Sequence, residues 1–249
     1  MSDDKKLGDR VRIPARGPQS SGDLYDRFLS SDDRGIFKWH HYFDVYERHL
    51  ARFRGSPVRV LEIGVKNGGS LSLWSEYFGD AATIVGLDIQ PRSMVHDGMR
   101  PNISVRIGDQ ADPRFLARVE NEFGPFEVVI DDGGHSARQQ INSFNFLYPR
   151  MTPRGIYICE DTHTSYWPRY ADAGPGVTMI EHTKKLVDHL HEPYFDEGKS
   201  MQRFSVGPDQ RAGDLLATRF AAETFSVQFY DSIVVFERRP RSEPYREQR

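Results

Sequence analysis

Two acidic clusters and a histidine offer the chemistry in this sequence. Asp131 and Asp132 precede Gly133-Gly134-His135, and Glu160 and Asp161 precede Thr162 and His163. Each cluster follows a short run rich in β-branched residues, Glu127 to Ile130 and Ile156 to Cys159. If those runs are neighbouring strands, about 4.8 Å apart, four carboxylates crowd one edge of a sheet. Like charges at that range raise one another's pKa and cost stability unless a cation or a shared proton relieves them. A hard divalent ion held by carboxylate oxygens and water would relieve them, and Mg²⁺ suits oxygen donors better than zinc does. The alternative is that these acids cap the helices after their strands. His135 follows a Gly-Gly turn that lets its ring swing toward a ligand beside such an ion. There it could take the proton of an attacking alcohol, although a lone histidine is more often a surface or satisfied group.

A second constellation lies earlier. Val60-Leu61-Glu62-Ile63-Gly64-Val65-Lys66-Asn67-Gly68-Gly69-Ser70-Leu71 reads as strand, glycine-bearing turn and helix start. Such a turn lets backbone amides approach a ligand and presents unpaired N–H groups at the helix N-terminus, or it simply makes a tight connection. It lacks the spacing of G-x-G-x-x-G, so a nicotinamide dinucleotide is poorly supported. Asp88, at the end of the next β-rich run, can accept both hydroxyls of a ribose, which points to a nucleoside cofactor without choosing one.

The elements that must position these groups are five β-rich runs, Val58 to Ile63, Thr83 to Leu87, Ile103 to Ile107, Glu127 to Ile130 and Ile156 to Cys159, separated by helix-like segments. That spacing predicts βα units in a parallel sheet, whose carboxyl edge is where ligands bind. Phe225 to Phe229 and Ile233 to Phe236, joined by Tyr230-Asp231, predict an antiparallel hairpin closing the sheet. Phe37 to Phe53 and Thr178 to Tyr194 carry apolar residues at helical spacing.

With these residues in place, the chain resembles the class I S-adenosylmethionine-dependent methyltransferases. Their E-x-G-x-G-x-G motif is matched at Glu62, Gly64 and Gly68, with Lys66 where the middle glycine stands. The resemblance implies an α/β, Rossmann-like fold: a mostly parallel seven-stranded sheet with a C-terminal antiparallel hairpin. It implies a cofactor site of Glu62, Gly64, Gly68, Ser70, Asp88, Asp109, Gln110 and Asp131. The motifs Asp-Asp-Gly-Gly-His at 131–135, Gly-Ile-Tyr-Ile-Cys-Glu-Asp-Thr-His-Thr-Ser-Tyr-Trp at 155–167 and Phe-Tyr-Asp-Ser-Ile-Val-Val-Phe-Glu at 229–237 narrow the likeness. They resemble the Mg²⁺-dependent sugar O-methyltransferases of macrolide and deoxysugar biosynthesis, the mycinamicin-type and rhamnosyl enzymes. That family implies Asp132, Glu160 and Asp161 as metal ligands and His135 as general base. Methylation would fall on a sugar hydroxyl of a glycosylated natural product, with a catechol or phenol as the alternative acceptor and a NAD-dependent reductase as a more distant reading.

Gly134 stands where that family has serine. Its mycinamicin-type members carry an N-terminal auxiliary domain, whereas residues 1–57 precede the first strand here. Lys38-Trp39-His40-His41-Tyr42-Phe43-Asp44-Val45-Tyr46 resembles the piece joining that domain to the catalytic one. Tyr42 and Tyr46 would cover the donor or serve as helix packing. The family also tends to assemble, so residues 1–50 could reach a neighbouring subunit's site in a homo-oligomer. Tyr166, Trp167 and Tyr170 lie in a loop that reads equally as an acceptor lid or as ordered surface.

Composition bounds the rest. The 249 residues carry 33 Lys+Arg against 36 Asp+Glu, a formal charge of −3, which gives no basic field for nucleic acid or anionic lipid. Cys159 is the single cysteine, so there is neither an internal disulfide nor a thiolate zinc site. No secretory signal and no run near the roughly 18 apolar residues of a membrane helix is present, and a cytoplasmic protein is expected. The expected organisation is a flexible arm (1–22), a helical segment (23–55), a methyltransferase domain (56–238) and a flexible tail (239–249).

Overall fold

A computed structural model describes residues 7–8, 10, 12–14, 20–31 and 35–246. Most of the expected arm (1–22) and residues 247–249 of the expected tail lie outside the described residues. Seven strands form one sheet: β1 (Arg59–Ile63), β2 (Thr83–Asp88), β3 (Ile103–Ile107), β4 (Val128–Asp131), β5 (Ile156–Cys159), β6 (Thr224–Phe229) and β7 (Val234–Arg238). They are ordered β3-β2-β1-β4-β5-β7-β6, with β7 antiparallel to both of its neighbours, β5 and β6, and every other pair parallel. The order reverses between β1 and β4, which opens a crevice beyond the carboxyl ends of those two strands. Register then decides what stands there. Ile63 pairs with Leu87 and Asp131, and Asp131 with Cys159, so Gly64, Asp88, Asp132 and Glu160 all emerge one residue past the same row.

The strands are apolar on both sides because helices cover both faces. One face buries Val60, Ile84, Val128, Ile130, Ile156 and Ile158 against α1 (Asp23–Ser30), α2 (Tyr42–Leu50) and α3 (Gly69–Phe78). The other buries Leu61, Val85, Val129, Tyr157 and Phe236 against α4 (Pro113–Phe123), α5 (Ala137–Leu147) and α6 (Met179–His189). Two short helices, α7 (Glu197–Phe204) and α8 (Arg219–Glu223), lie between α6 and β6. The aromatic helix expected over 37–53 begins at Tyr42, and its buried face of Tyr42, Phe43, Val45, Tyr46 and Leu50 shares one core with α3 and the sheet. Tyr46 stands edge-on to Trp74, with ring centres 5.2 Å apart.

Local chemistry sets the helix starts that matter for the site. Asp112 caps α4 by accepting from the Arg114 N–H, with Pro113 in the first turn. Ser136 and Gln139 form a reciprocal capping box at the start of α5, fixing the residue before it, His135. The chain's end is tied as far as it is described: the Arg241 N–H donates to the Ala222 carbonyl, and Glu243 pairs with Arg203 and Arg211. No helix among the described residues is long and apolar enough to cross a membrane.

Candidate active site

The turn after β1 is built around two glycines with left-handed backbone. Gly64 has φ +97°, and a Cβ there would overlap the carbonyl oxygen of Asp132 on the neighbouring strand's turn. Gly68, φ +77°, opens α3 where a Cβ would meet the His96 ring. Asp88 holds the turn in shape: its Oδ2 accepts the backbone N–H groups of Val65 (3.2 Å) and Lys66 (2.8 Å) and the Ser93 hydroxyl (2.8 Å), and Oδ1 accepts the Gln90 N–H (2.8 Å). A cleft of about 440 Å³ runs from this turn across the sheet edge. Its walls include Gly64, Asp88, Asp109, Gln110, Asp132, His135 and Asp161, with Phe37, Ile89 and Arg92 at the rim.

At the far end of the cleft, one carboxylate oxygen each from Asp132 and Asp161 and a ring nitrogen of His135 lie within 4.8 Å of one another. His135 Nε2 is 3.5 Å from Asp161 Oδ2 and 3.8 Å from Asp132 Oδ1, and its Nδ1 is buried with no hydrogen-bond partner. Both His135 (φ +58°) and Asp161 (φ +53°) adopt left-handed backbone, a strained state for residues with side chains. Neighbouring bonds hold it there. The His135 carbonyl accepts from Thr164 Oγ1 at 2.9 Å, and Asp161 Oδ1 accepts from Tyr42 Oη at 2.6 Å. The carboxylate oxygens fit an octahedral hard ion that keeps several waters, so they suit Mg²⁺, with the His135 ring beside them.

Glu160, the third carboxylate implied as a ligand, is held by other groups of the chain. Its side chain is buried, Tyr46 Oη donates to Oε1 at 2.6 Å, and Lys38 Nζ lies 3.0 and 2.9 Å from its two oxygens. Lys38 also meets Asp132 Oδ2 at 2.5 Å and stands 3.8 Å from Glu62 Oε1. Burial works against the lysine's charge, but Asp132, Glu160 and Glu62 outweigh it and raise its pKa above the ordinary value. Burial and the Asp132 charge push Glu160 up to about 8, with Lys38 and Tyr46 opposing them. His135 thus stands in the ion-sized group, while Glu160 is engaged by the chain's own cation.

The remaining expected residues divide into those that line the cleft and those beneath it. Gly64, Asp88, Asp109 and Gln110 line it. Asp131, Glu62, Ser70, Gly68 and Tyr42 do not, and each has a structural reason. Side chains alternate along β4, so Asp131 points into the core, where it accepts from Gln110 Nε2 (2.9 Å), Ser143 Oγ (2.5 Å) and Tyr157 Oη (2.8 Å). Burial raises its pKa against those three bonds. Asp131 acts through Gln110, whose Oε1 accepts the Gly134 N–H at 2.8 Å and so anchors the turn that carries His135. Glu62 is fully buried, accepting from Ser70 Oγ (2.7 Å) and Trp74 Nε1 (3.0 Å), which ties β1 to α3. Tyr42 reaches Asp161 and Ser232 Oγ rather than the donor end of the cleft.

Sequence reasoning missed Lys38 as a member of the acidic site, along with Trp74, Ser143, Tyr157 and the capping Gln139. The signal for Lys38 was a single cation set between Phe37 and Trp39, upstream of acids that need one. On the outer side of Asp161, Thr162, His163, Tyr166 and Phe229–Ser232 border a second cavity of about 440 Å³. The His163 ring lies between two half-exposed tryptophans, 6.2 Å from Trp39 and 4.6 Å from Trp167.

Residues 61–162 match a family model described as a methyltransferase domain. The chain is 40% identical over 192 residues to the 8-demethyl-8-(2-methoxy-alpha-L-rhamnosyl)-tetracenomycin-C 3'-O-methyltransferase of Streptomyces olivaceus, covering 73% of this chain and 47% of that protein. It is 42% identical to the mycinamicin VI 2''-O-methyltransferase of Micromonospora griseorubida over 62% of this chain and 41% of the relative. The crystal structure of MycE, a methyltransferase of the mycinamycin biosynthetic pathway, in complex with Mg, SAH and mycinamycin VI superimposes with a TM-score of 0.69. It is 30% identical, and the alignment covers 90% of this chain and 54% of MycE. The chain thus spans about half the length of the relatives it matches. It has the class I methyltransferase fold and is similar in sequence to O-methyltransferases of rhamnosyl-tetracenomycin and of mycinamicin VI.

Proposed function

We propose that this chain transfers the methyl group of S-adenosylmethionine to a hydroxyl of a sugar or deoxysugar on a glycosylated natural product, with Mg²⁺ at the acidic end of the cleft. One observation carries the reading: a single cleft joins the glycine turn and Asp88 to the group formed by Asp132, His135 and Asp161. When bound, S-adenosylmethionine supplies an electrophilic sulfonium methyl, and Mg²⁺ supplies a Lewis acid that acidifies a hydroxyl oriented beside it. Asp132, Glu160 and Asp161 are the residues that would hold the ion. Gly64 lets the β1 turn lie against the Asp132 turn while lining the cleft, and Asp109 and Gln110 border the cleft past β3. His135, with one ring nitrogen facing two carboxylates and the other unpaired, takes the acceptor's proton, and Asp161 stabilises the resulting imidazolium. Trp39 and Trp167, exposed beyond Asp161, offer flat faces against which a glycoside can pack.

The relatives' acceptors support a sugar over a phenol. A cytoplasmic homo-oligomer without nucleic-acid partners is part of the same reading, supported by the buried free Cys159, the near-neutral charge and the exposed Phe37 and Trp39 beside the site. Calorimetric titration of S-adenosylmethionine and of NADH, each with Mg²⁺ and with EDTA, followed by turnover on rhamnosylated and on catechol acceptors, tests it. Binding of S-adenosylmethionine alone, with Mg²⁺-dependent methylation of the glycoside, is expected. NADH binding in its place would overturn the donor, and turnover of the catechol alone would overturn the acceptor.

A further inference from the structure

The acidic site already contains a cation. The Lys38 side chain is 4% exposed, and its ammonium touches Asp132 Oδ2 and both oxygens of Glu160. Those oxygens belong to two of the three carboxylates through which, by resemblance, a divalent ion would be held. On Asp132 the ammonium takes Oδ2 while Oδ1 faces His135, and on Glu160 it takes both oxygens, so an arriving ion would stand against the lysine's charge on the same carboxylates, where exclusion of water makes their repulsion strongest. The lysine also differs from a fixed ligand in being able to leave. Its ammonium sits on a flexible four-carbon stem, and residues 36–39 belong to no helix or strand. The flanking Phe37 and Trp39 are 82% and 52% exposed. Lys38 therefore reaches into the site from a short irregular segment, with the core of α2 beginning only at Tyr42.

We propose that Lys38 is a built-in competitor for Mg²⁺: it neutralises Asp132 and Glu160 while no ion is bound, and withdraws from Glu160 when the ion arrives. The inference rests on the Mg²⁺-dependent reading above. It makes metal affinity a balance between two cations, and it couples ion binding to the position of Trp39, the next residue. Arrival of the ion frees Lys38 and shifts Trp39 on His163, its ring neighbour.

The test is calorimetric titration of MgCl₂ into the full chain saturated with S-adenosylhomocysteine, comparing the native protein with Lys38→Met and Lys38→Arg. Lys38→Met is expected to bind Mg²⁺ at least about tenfold more tightly, because one competing charge is gone. Lys38→Arg should stay as weak as the native protein. In EDTA the Met variant should melt at a lower temperature than the native chain and regain more on addition of MgCl₂. If it is unfolded in EDTA, MgCl₂ should refold it. In the native protein MgCl₂ should change the tryptophan emission, and Trp39→Phe should remove that change. Equal or weaker Mg²⁺ binding by Lys38→Met, or its failure to refold with the ion, overturns the proposal. If neither protein binds Mg²⁺, the metal part of the functional reading falls with it, while the S-adenosylhomocysteine titration reports separately on the donor. If both bind Mg²⁺ equally, only the role of Lys38 falls.

Discussion

Replacing Asp131 with alanine tests the claim that this residue supports the site from below. Three donors converge on its buried carboxylate, from Gln110, Ser143 and Tyr157. Two of them have somewhere else to go: Ser143 Oγ lies 2.7 Å from the Gln139 carbonyl, and Gln110 Nε2 lies 3.3 Å from Ser143 Oγ. The Tyr157 hydroxyl, fully buried, has only Ser143 to turn to, and that is the same hydroxyl Gln110 would use, so one of the two is left short of a partner. One stranded donor costs about 1–3 kcal/mol, and each bond to a charged group that is lost and replaced by a weaker one costs about 1 kcal/mol more. Asp131→Ala is therefore expected to destabilise the fold by about 4 kcal/mol, a large share of the roughly 5–15 kcal/mol that holds a domain together. Asp131→Asn, which keeps the shape and one acceptor oxygen, should cost about half as much. Urea unfolding at neutral pH, followed by tryptophan emission and circular dichroism, reads both. Calorimetry with S-adenosylhomocysteine on the folded variants should show weakened binding, because Gln110 anchors the Gly134 turn. A loss below about 1 kcal/mol for Asp131→Ala would mean that the three donors re-pair freely and that the network does not support the site.

The other predictions concern the reaction, the turn and pH. His135→Ala should keep S-adenosylhomocysteine affinity within about threefold and lower kcat on a glycosylated acceptor by about 10²–10⁴, so near-native turnover would remove the base. Gly64→Ala combines a left-handed backbone with an overlap on Asp132 and should cost about 3 kcal/mol and abolish donor binding, as thermal melting and calorimetry would show. Burial holds the pKa of His49 down at about 4, so its contribution is complete above its ordinary value of 6.5 and is lost as pH falls through about 4. Stability should therefore drop on that acid limb by up to about 3 kcal/mol, and His49→Phe should flatten it. Tyr230 remains bonded to Gln228 Oε1 in that variant, at 2.7 Å, so the comparison is not confounded by a stranded hydroxyl.

The strands were readable because each is a run of Val, Ile and neighbouring apolar residues ended by glycine or acid, and burial on both faces removes any ambiguity of period. Val58 to Ile63 and Ile156 to Cys159 were placed almost to the residue. The cleft-lining Gly64, Asp88, Asp109, Gln110, Asp132, His135 and Asp161 were readable because all follow strand ends. What a strand end does not reveal is where a side chain points. Asp131 and Asp132 are adjacent letters, yet the pleat sends the first into the core and the second into the cleft. Partners distant in sequence were also hidden. Lys38 and Glu160 lie 122 residues apart, and only the packing of α2 against the sheet brings the segment before it over the acids.

That packing bears on how such chains can be cut and recombined. The matched methyltransferase region begins at residue 61, but Lys38, Tyr42 and Tyr46, which contact Glu160, Asp132 and Asp161, all precede it. A chimera joined at the first strand would inherit the acids from one parent and their counter-charge and hydroxyl donors from the other. Exchanges that preserve function should therefore cross over upstream of Phe37, so that the acids and the segment that neutralises them are transferred as one unit.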